Sequence, residues 1–378
     1  MADTTPNPAP DPNQSIAQPP PRKKRRLWLK IPLALLILLL LFVLLLPTIL
    51  STGMARRFAL GQANKNLNGH VEVADWSIGW TGGINAQGIK VFDDAGKQVV
   101  QLDHFSTELP LTSAMFGKLH LGKVKIDGLS FDLKADEQGK LNVAKVAKPS
   151  NPNEPAPPPA KPSSGKLPDI SADVQISNVH GTFTQPGKPA VAVTKLDGNI
   201  KIPDINQPIT NDFNVGLKVG NGPEGSIKTS GTADVIKDNK VALDTANVQQ
   251  TVTVNNVDLA AAKPFLAGTG IEDVAGQLGA NLALDVKGGK DATLDANVNA
   301  GNITAAGPAL KGDTFTTKTF TVAVPKLSAA FPQGLDHWQS GRIKAGADAG
   351  SAPIAVKLDQ AQVTATLDVT PQALLNLK

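Results

Sequence analysis

Apolar and polar positions along this chain follow two rhythms, and the change between them comes early. From Ile31 to Leu50 nearly every side chain is apolar and none is charged. Twenty residues at ~1.5 Å rise cover ~30 Å, the hydrocarbon thickness of a bilayer. A soluble helix of that length keeps a polar stripe, because one of its sides stays wet. The run predicts a transmembrane anchor over 27–50, and the charge-free stretch continues to Ala55. Beyond it the rhythm becomes period two. Phe213, Val215, Leu217 and Val219 alternate with Asn214, Gly216 and Lys218; Leu278, Ala280, Leu282, Leu284 and Val286 repeat the pattern with Asn281 and Asp285 between them. Leu294, Ala296 and Val298 follow, and Val363, Ala365, Leu367 and Val369 close the series. Such alternation predicts strands with one apolar and one polar face.

Glycine pairs punctuate these segments. Gly82-Gly83, Asp127-Gly128, Asn221-Gly222 and Gly288-Gly289 predict turns or bulges. Helical signals are few: Met54 to Leu67 after the anchor, a short turn-like helix over Val257–Leu266, and another over Gln372–Leu377. The expected class is therefore mainly β, a transmembrane helix followed by an antiparallel sheet with a few short helices. The apolar strand faces hold Val, Leu, Ile and Ala with few rings. Faces of this kind either pack on one another or form the dry lining of an open groove. On the residues alone packing is the simpler reading, since most apolar strand faces are covered.

The flanks of the anchor orient it. Arg22, Lys23, Lys24, Arg25 and Arg26 precede it with Lys30, and only Arg56 and Arg57 follow. The positive-inside rule puts the N-terminus in the cytoplasm and the bulk of the chain across the membrane. A cleaved signal peptide competes, with Ser51-Thr52-Gly53 as a small-residue site, but the apolar core exceeds the ~7–15 residues of a signal sequence. A nuclear-localisation reading of the basic run is weaker beside a spanning helix. The domains expected are a disordered cytoplasmic tail over 1–26, the anchor over 27–50, a β segment over 51–147, a Pro-rich linker or inserted loop over 148–168, and a second β segment over 169–378.

Composition removes several classes of function. Cysteine is absent, so disulfides and thiolate metal sites are excluded. The net charge is +4, less than the basic cluster alone supplies, and tyrosine is absent. No broad basic field or base-stacking platform is left for nucleic acid. The histidines His70, His104, His120, His180 and His337 are scattered without metal-ligand spacing. Asp93-Asp94 and Asp136-Glu137 each lead into a glycine (Gly96, Gly139) and predict turns rather than acid/base pairs. No nucleophile elbow or phosphate loop is present. Neither an enzyme nor a cofactor is expected.

The order of features after the anchor resembles the AsmA-like family of bacterial envelope proteins, which is AsmA/TamB-related and shares the chorein-type β-groove. The resemblance rests on Asn66 to Gly96, Val100 to Phe105, Leu119 to Leu133 with its Ile126-Asp127-Gly128, and Asp136 to Val143, read as an acidic-glycine turn and a strand start. Gly82-Gly83-Ile84 departs from the more apolar segment expected there. The resemblance implies an inner-membrane, single-pass protein whose periplasmic part forms an elongated, taco-like β-groove. It implies binding of phospholipid acyl chains and a role in phospholipid transport or outer-membrane biogenesis. Phe213, Val215, Leu217, Val219, Leu282, Leu284, Val286, Leu294 and Val298 are the expected lining. An unpaired strand at the C-terminal sheet edge could instead hold an envelope protein partner, the reading of an assembly or scaffold factor.

Overall fold

The computed structural model describes residues 45–110, 113, 119–148, 166–266 and 268–371. Its period-two segments become long strands. Before the Pro-rich segment lie β1 (His70–Ile78), β2 (Ile84–Phe92), β3 (Gln98–Thr107) and β4 (Leu119–Lys134). After it come β5 (Ile170–Thr184), β6 (Val191–Ile202), β7 (Ile209–Val219), β8 (Glu224–Asp234) and the short β9 (Ile236–Lys237) and β10 (Lys240–Val241). Then follow β11 (Asn247–Asp258), β12 (Asp273–Lys287), β13 (Asp291–Ala306), β14 (Thr314–Ala330), β15 (Arg342–Ala345), β16 (Ile354–Leu358), β17 (Ala361–Ala365) and β18 (Leu367–Val369).

Sixteen of these strands form one sheet, and β9 and β10 make a separate hairpin. Neighbours in the sheet follow chain order from β1 to β8, then β11 to β14. At β14 the sheet forks: residues 327–330 pair with β15 and residues 320–323 pair with β16. β18 and β17 then flank β15 and β16 and form the last row.

The expectation of an antiparallel sheet is corrected at one place. β4 and β5 run parallel, from Leu119 beside Ile170 to Lys134 beside Thr184. A parallel pair needs a crossover of a dozen or more residues, and the chain from Ala135 to Asp169 supplies it. The sheet is therefore mixed, and the strands before and after the Pro-rich segment belong to the same ladder.

The helix expected after the anchor is present as α1 (Gly53–Lys65), where the Thr52 hydroxyl accepts the Ala55 N–H at 3.3 Å. The segment expected near Val257 is a 3-10 helix over Leu259–Phe265, started by Asp258 accepting from the Ala260 N–H. The Gln372–Leu377 helix, the basic residues Arg22 to Arg26 and all of the expected anchor except Leu45–Leu50, which is helical, lie outside the described residues. Among the described residues no helix is long and apolar enough to cross a membrane.

The acidic turns have a common construction. Asp93 Oδ1 accepts the amides of Ala95 and Lys97, and Asp136 Oδ1 accepts those of Gln138 and Lys140. Past the second turn the expected strand start is replaced by a 3-10 turn, Asn142–Lys145. Asn142 Oδ1 takes the amides of Lys134 and Val143 while its Nδ2 donates to the Asp132 carbonyl, so the side chain displaces a strand ladder there.

Candidate functional site: an apolar face across the sheet

Cross-strand partners share a face, so the register shows how far one apolar row extends. Starting at β1 and moving one strand at a time, the row reads Trp76, Ala86, Phe105, Ile126, Ile176, Gly198, Phe213, Thr229, Val252, Leu282, Ala296 and Val324. A neighbouring row reads Val179, Leu196, Val215, Ile227, Val254, Ala280, Val298, Val322, Val356 and Val363. The first crosses β1 to β14 with one polar member, Thr229. The second reaches the far edge at β17 with none.

Glycines in and beside these rows are filled by rings from the next strand. A Cβ on Gly198 would lie 2.1 Å from the Phe213 ring, and one on Gly181 would lie 2.5 Å from the Phe131 ring. Each phenyl lies across its neighbour's bare backbone and closes the gap in the surface.

Among the described residues little covers this sheet. Apart from strand neighbours, the main packing partners are α1 on β1, Leu259–Phe265 on β12 and β7, and the 3-10 turn Gly346–Ala349 on β14, β15 and β18. Apart from the large sheet, the described strands form only the β9–β10 hairpin. Phe213, Val215, Leu217, Leu282, Leu294 and Val298 are accordingly half-buried, and Leu284 is 37% exposed. Val219 and Val286 differ: both are buried, at strand ends beside the turns that follow them.

The register joins the expected lining residues into neighbours. Leu284 faces Leu294, and Val298 faces Ala280, two residues from Leu282. Phe213, Val215 and Leu217 lie on the same rows or one beyond, separated from β12 by β8 and β11. All nine thus belong to a single sheet rather than to separate patches.

The sequence reading missed the first half of this face, on β1 to β5. Apolar positions there run 71, 73, 76, 78 on β1, then 84, 86, 89, 91 on β2, and 124, 126, 129, 131 on β4. One beat of the alternation is skipped on every strand. Gly88, Gly128 and Asn178 occupy the skip with φ of 60°, 71° and 55°, the left-handed region that a bulge of this kind requires. At Gly128 there is also no room for a side chain, since a Cβ would meet the Asp103 carboxylate at 2.5 Å. Asp127-Gly128 is thus a bulge inside β4 and not a turn between strands, and the signal that marks it is a glycine or asparagine inside a strand of mixed period.

On the polar side of this bulge line, Asp127 Oδ1 accepts from Ser177 Oγ at 2.6 Å and Asn178 Nδ2 at 2.8 Å. These bonds hold the Asp127 carboxyl below its ordinary value. Asp197 is lowered as well, by Lys195 first and then by the Asn178 N–H. The two aspartates tie the parallel β4–β5 junction to β6.

The apolar face carries a polar island. Asn211 Nδ2 donates to Gln250 Oε1 at 3.1 Å, and Gln250 Nε2 donates back to Asn211 Oδ1 at 3.3 Å and to Thr229 Oγ1. The pair spans β8 above Gly231, whose absent Cβ would collide with Gln250 Oε1 at 2.3 Å. Each amide satisfies the other, which keeps the island neutral.

Among the described residues chemistry-bearing groups do not converge. His70 stacks on Phe92 with centroids 4.3 Å apart, and its Nε2 is 3.6 Å from Glu72. His120 Nδ1 contacts Ser171 Oγ at 2.8 Å. Among the described residues no three His, Asp or Glu side chains are grouped to hold a metal ion. No protein-family model, curated protein or solved structure matches this chain.

Proposed function

We propose that this protein binds the acyl chains of membrane phospholipid along the apolar sheet face, with the sheet curling into a groove around them. The observation that carries the reading is the continuity of the rows from Trp76 to Val324 and from Val179 to Val363 on a face that few described elements cover. An acyl chain costs ~0.8 kcal/mol for each methylene left in water, so a dry path across many strands lowers the barrier to moving it. The charge-free run at 31–50 and the basic residues 22–26 support an inner-membrane anchor with the sheet in the periplasm. Phospholipid transport between membranes, or outer-membrane biogenesis, is the role that fits this placement and the AsmA-like resemblance.

The test is mass spectrometry of lipid bound to the purified full chain, beside a Leu217→Asp/Leu284→Asp variant. Phospholipid on the wild type and its loss from a variant with unchanged circular dichroism are expected. A wild-type protein without lipid, extracted in a detergent that preserves bound phospholipid, would overturn the reading.

One observation favours a second reading, a non-catalytic assembly factor. The last row of the sheet, β17 with β18, has no strand beyond it among the described residues, and every residue of β17 is exposed. An envelope protein could add a strand there. A stoichiometric protein partner without lipid would favour this reading over transport.

A further inference from the structure

The two faces of α1 are used differently. One face is fixed to β1: Arg56 pairs with Asp75, and the Asn64 side chain bonds both backbone groups of Val71. The other carries Met54, 75% exposed, and Phe58, 70% exposed, one helical turn apart. No other described large apolar side chains are so open to solvent. Arg57 and Lys65 are exposed around the same face, and neither side chain pairs with a carboxylate among the described residues. The helix has three basic residues and no acidic one. Exposed apolar side chains flanked by unpaired cations form the surface a headgroup layer accepts, with rings and thioether below and ammonium and guanidinium groups against phosphate.

The surroundings of α1 give this surface a purpose. The Trp76 indole N–H donates to the Leu50 carbonyl at 2.9 Å, and the Ile78 N–H donates to Ser51 Oγ at 2.9 Å. The strand that opens the apolar face is thereby pinned to the residues at which the charge-free apolar run reaches its end.

We propose that Met54 and Phe58, with Arg57 and Lys65, seat α1 in the headgroup region of an anionic phospholipid bilayer, so that the β1 end of the apolar face is the end held at the membrane. Two large apolar side chains bind a bilayer weakly alone; tethering beside a membrane anchor makes the contact effectively intramolecular. The proposal rests on the anchored reading given above. It adds which end of the face meets the membrane and what holds it there.

The chain has no cysteine, so single-cysteine variants label cleanly. The experiment uses full-length Phe58→Cys and Ala63→Cys, each carrying an environment-sensitive fluorophore, in vesicles of phosphatidylethanolamine and phosphatidylglycerol. Both positions are exposed, so neither label disturbs a packed core. Brominated lipid should quench position 58 strongly and position 63 little, and phosphatidylcholine vesicles should reduce the quenching at 58 by about twofold or more as the anionic attraction is removed. A position-58 label quenched by aqueous iodide and untouched by brominated lipid, on chains that float with the vesicles, would overturn the proposal while leaving the anchor intact. Chains that do not float would sink the anchored reading and the proposal with it.

Discussion

The sheet has two edges, and they are finished in opposite ways. At β1 the edge is closed by side chains: Asn64 Oδ1 accepts the Val71 N–H at 2.8 Å, Asn64 Nδ2 donates to the Val71 carbonyl at 3.0 Å, and Ser51 Oγ accepts the Ile78 N–H. An amide and a hydroxyl stand where another strand would bond. At the far edge, β17 and β18 carry Gln362, Thr364 and Asp368 but no proline and no lysine, and no described strand lies beyond them. Protection of exposed edges is the usual solution, because an open ladder recruits other strands. One closed edge and one open edge give the sheet a direction.

The largest effect should come from opening the closed edge. Asn64→Ala removes both bonds to Val71 and leaves an N–H and a C=O of a half-buried strand without partners. A loss of about 1–3 kcal/mol is expected, the cost of stranding such groups. Denaturant unfolding of the full chain measures it, and hydrogen exchange at the Val71 amide localises it. Unchanged stability with unchanged exchange at Val71 would mean that the edge is not held by this contact.

A lysine placed on each edge in turn sharpens the contrast. Val363 is 67% exposed on β17, so Val363→Lys should change stability by less than about 0.5 kcal/mol. It should also reduce concentration-dependent self-association, because an edge lysine opposes strand addition. Val71 is half-buried on β1, so Val71→Lys takes part of a charge out of water and should cost more than Val363→Lys in the same melt. Equal costs, or self-association that persists in Val363→Lys, would remove the distinction between the edges.

How much of this was legible depended on the regularity of each strand. β7, β12 and β13 alternate without interruption over most of their length, so Phe213, Leu282 and Leu294 could be read as one-faced from residue order alone. On β1 to β5 the skipped beat at Gly88, Gly128 and Asn178 breaks the period, and Trp76, Phe105 and Ile126 drop out of any simple count. The parallel β4–β5 pair was hidden for another reason: strand direction is set by where a connection returns, and the intervening residues carry no pattern that fixes it. Asn211 and Gln250 look like exceptions to alternation, and only the register shows that each cancels the other across Gly231. Val219 and Val286 share the pattern of their neighbours, yet near the strand ends they are buried where the period alone would leave them half-open.

The smallest effect lies in the ion pair that fastens the open edge. Arg342 Nη2 donates to Asp368 Oδ2 at 2.7 Å, joining β15 to β18. The guanidinium holds the Asp368 carboxyl below its ordinary value, first by the hydrogen bond and then by its charge. A lowered folded pKa means that the contribution is fully present above the unfolded carboxylate value, about 3.9, and is lost as pH falls through the lower folded one. Asp368→Asn should therefore speed exchange of the β18 amides at pH 7, and the difference from wild type should shrink as pH drops below about 4. Raising salt at pH 7 should shrink it too, since both partners are solvent-accessible. A difference that survives both acid and salt would assign the hold on β18 to its ladder with Ile343 and Ala345 instead, and the open edge would then be fastened by backbone alone.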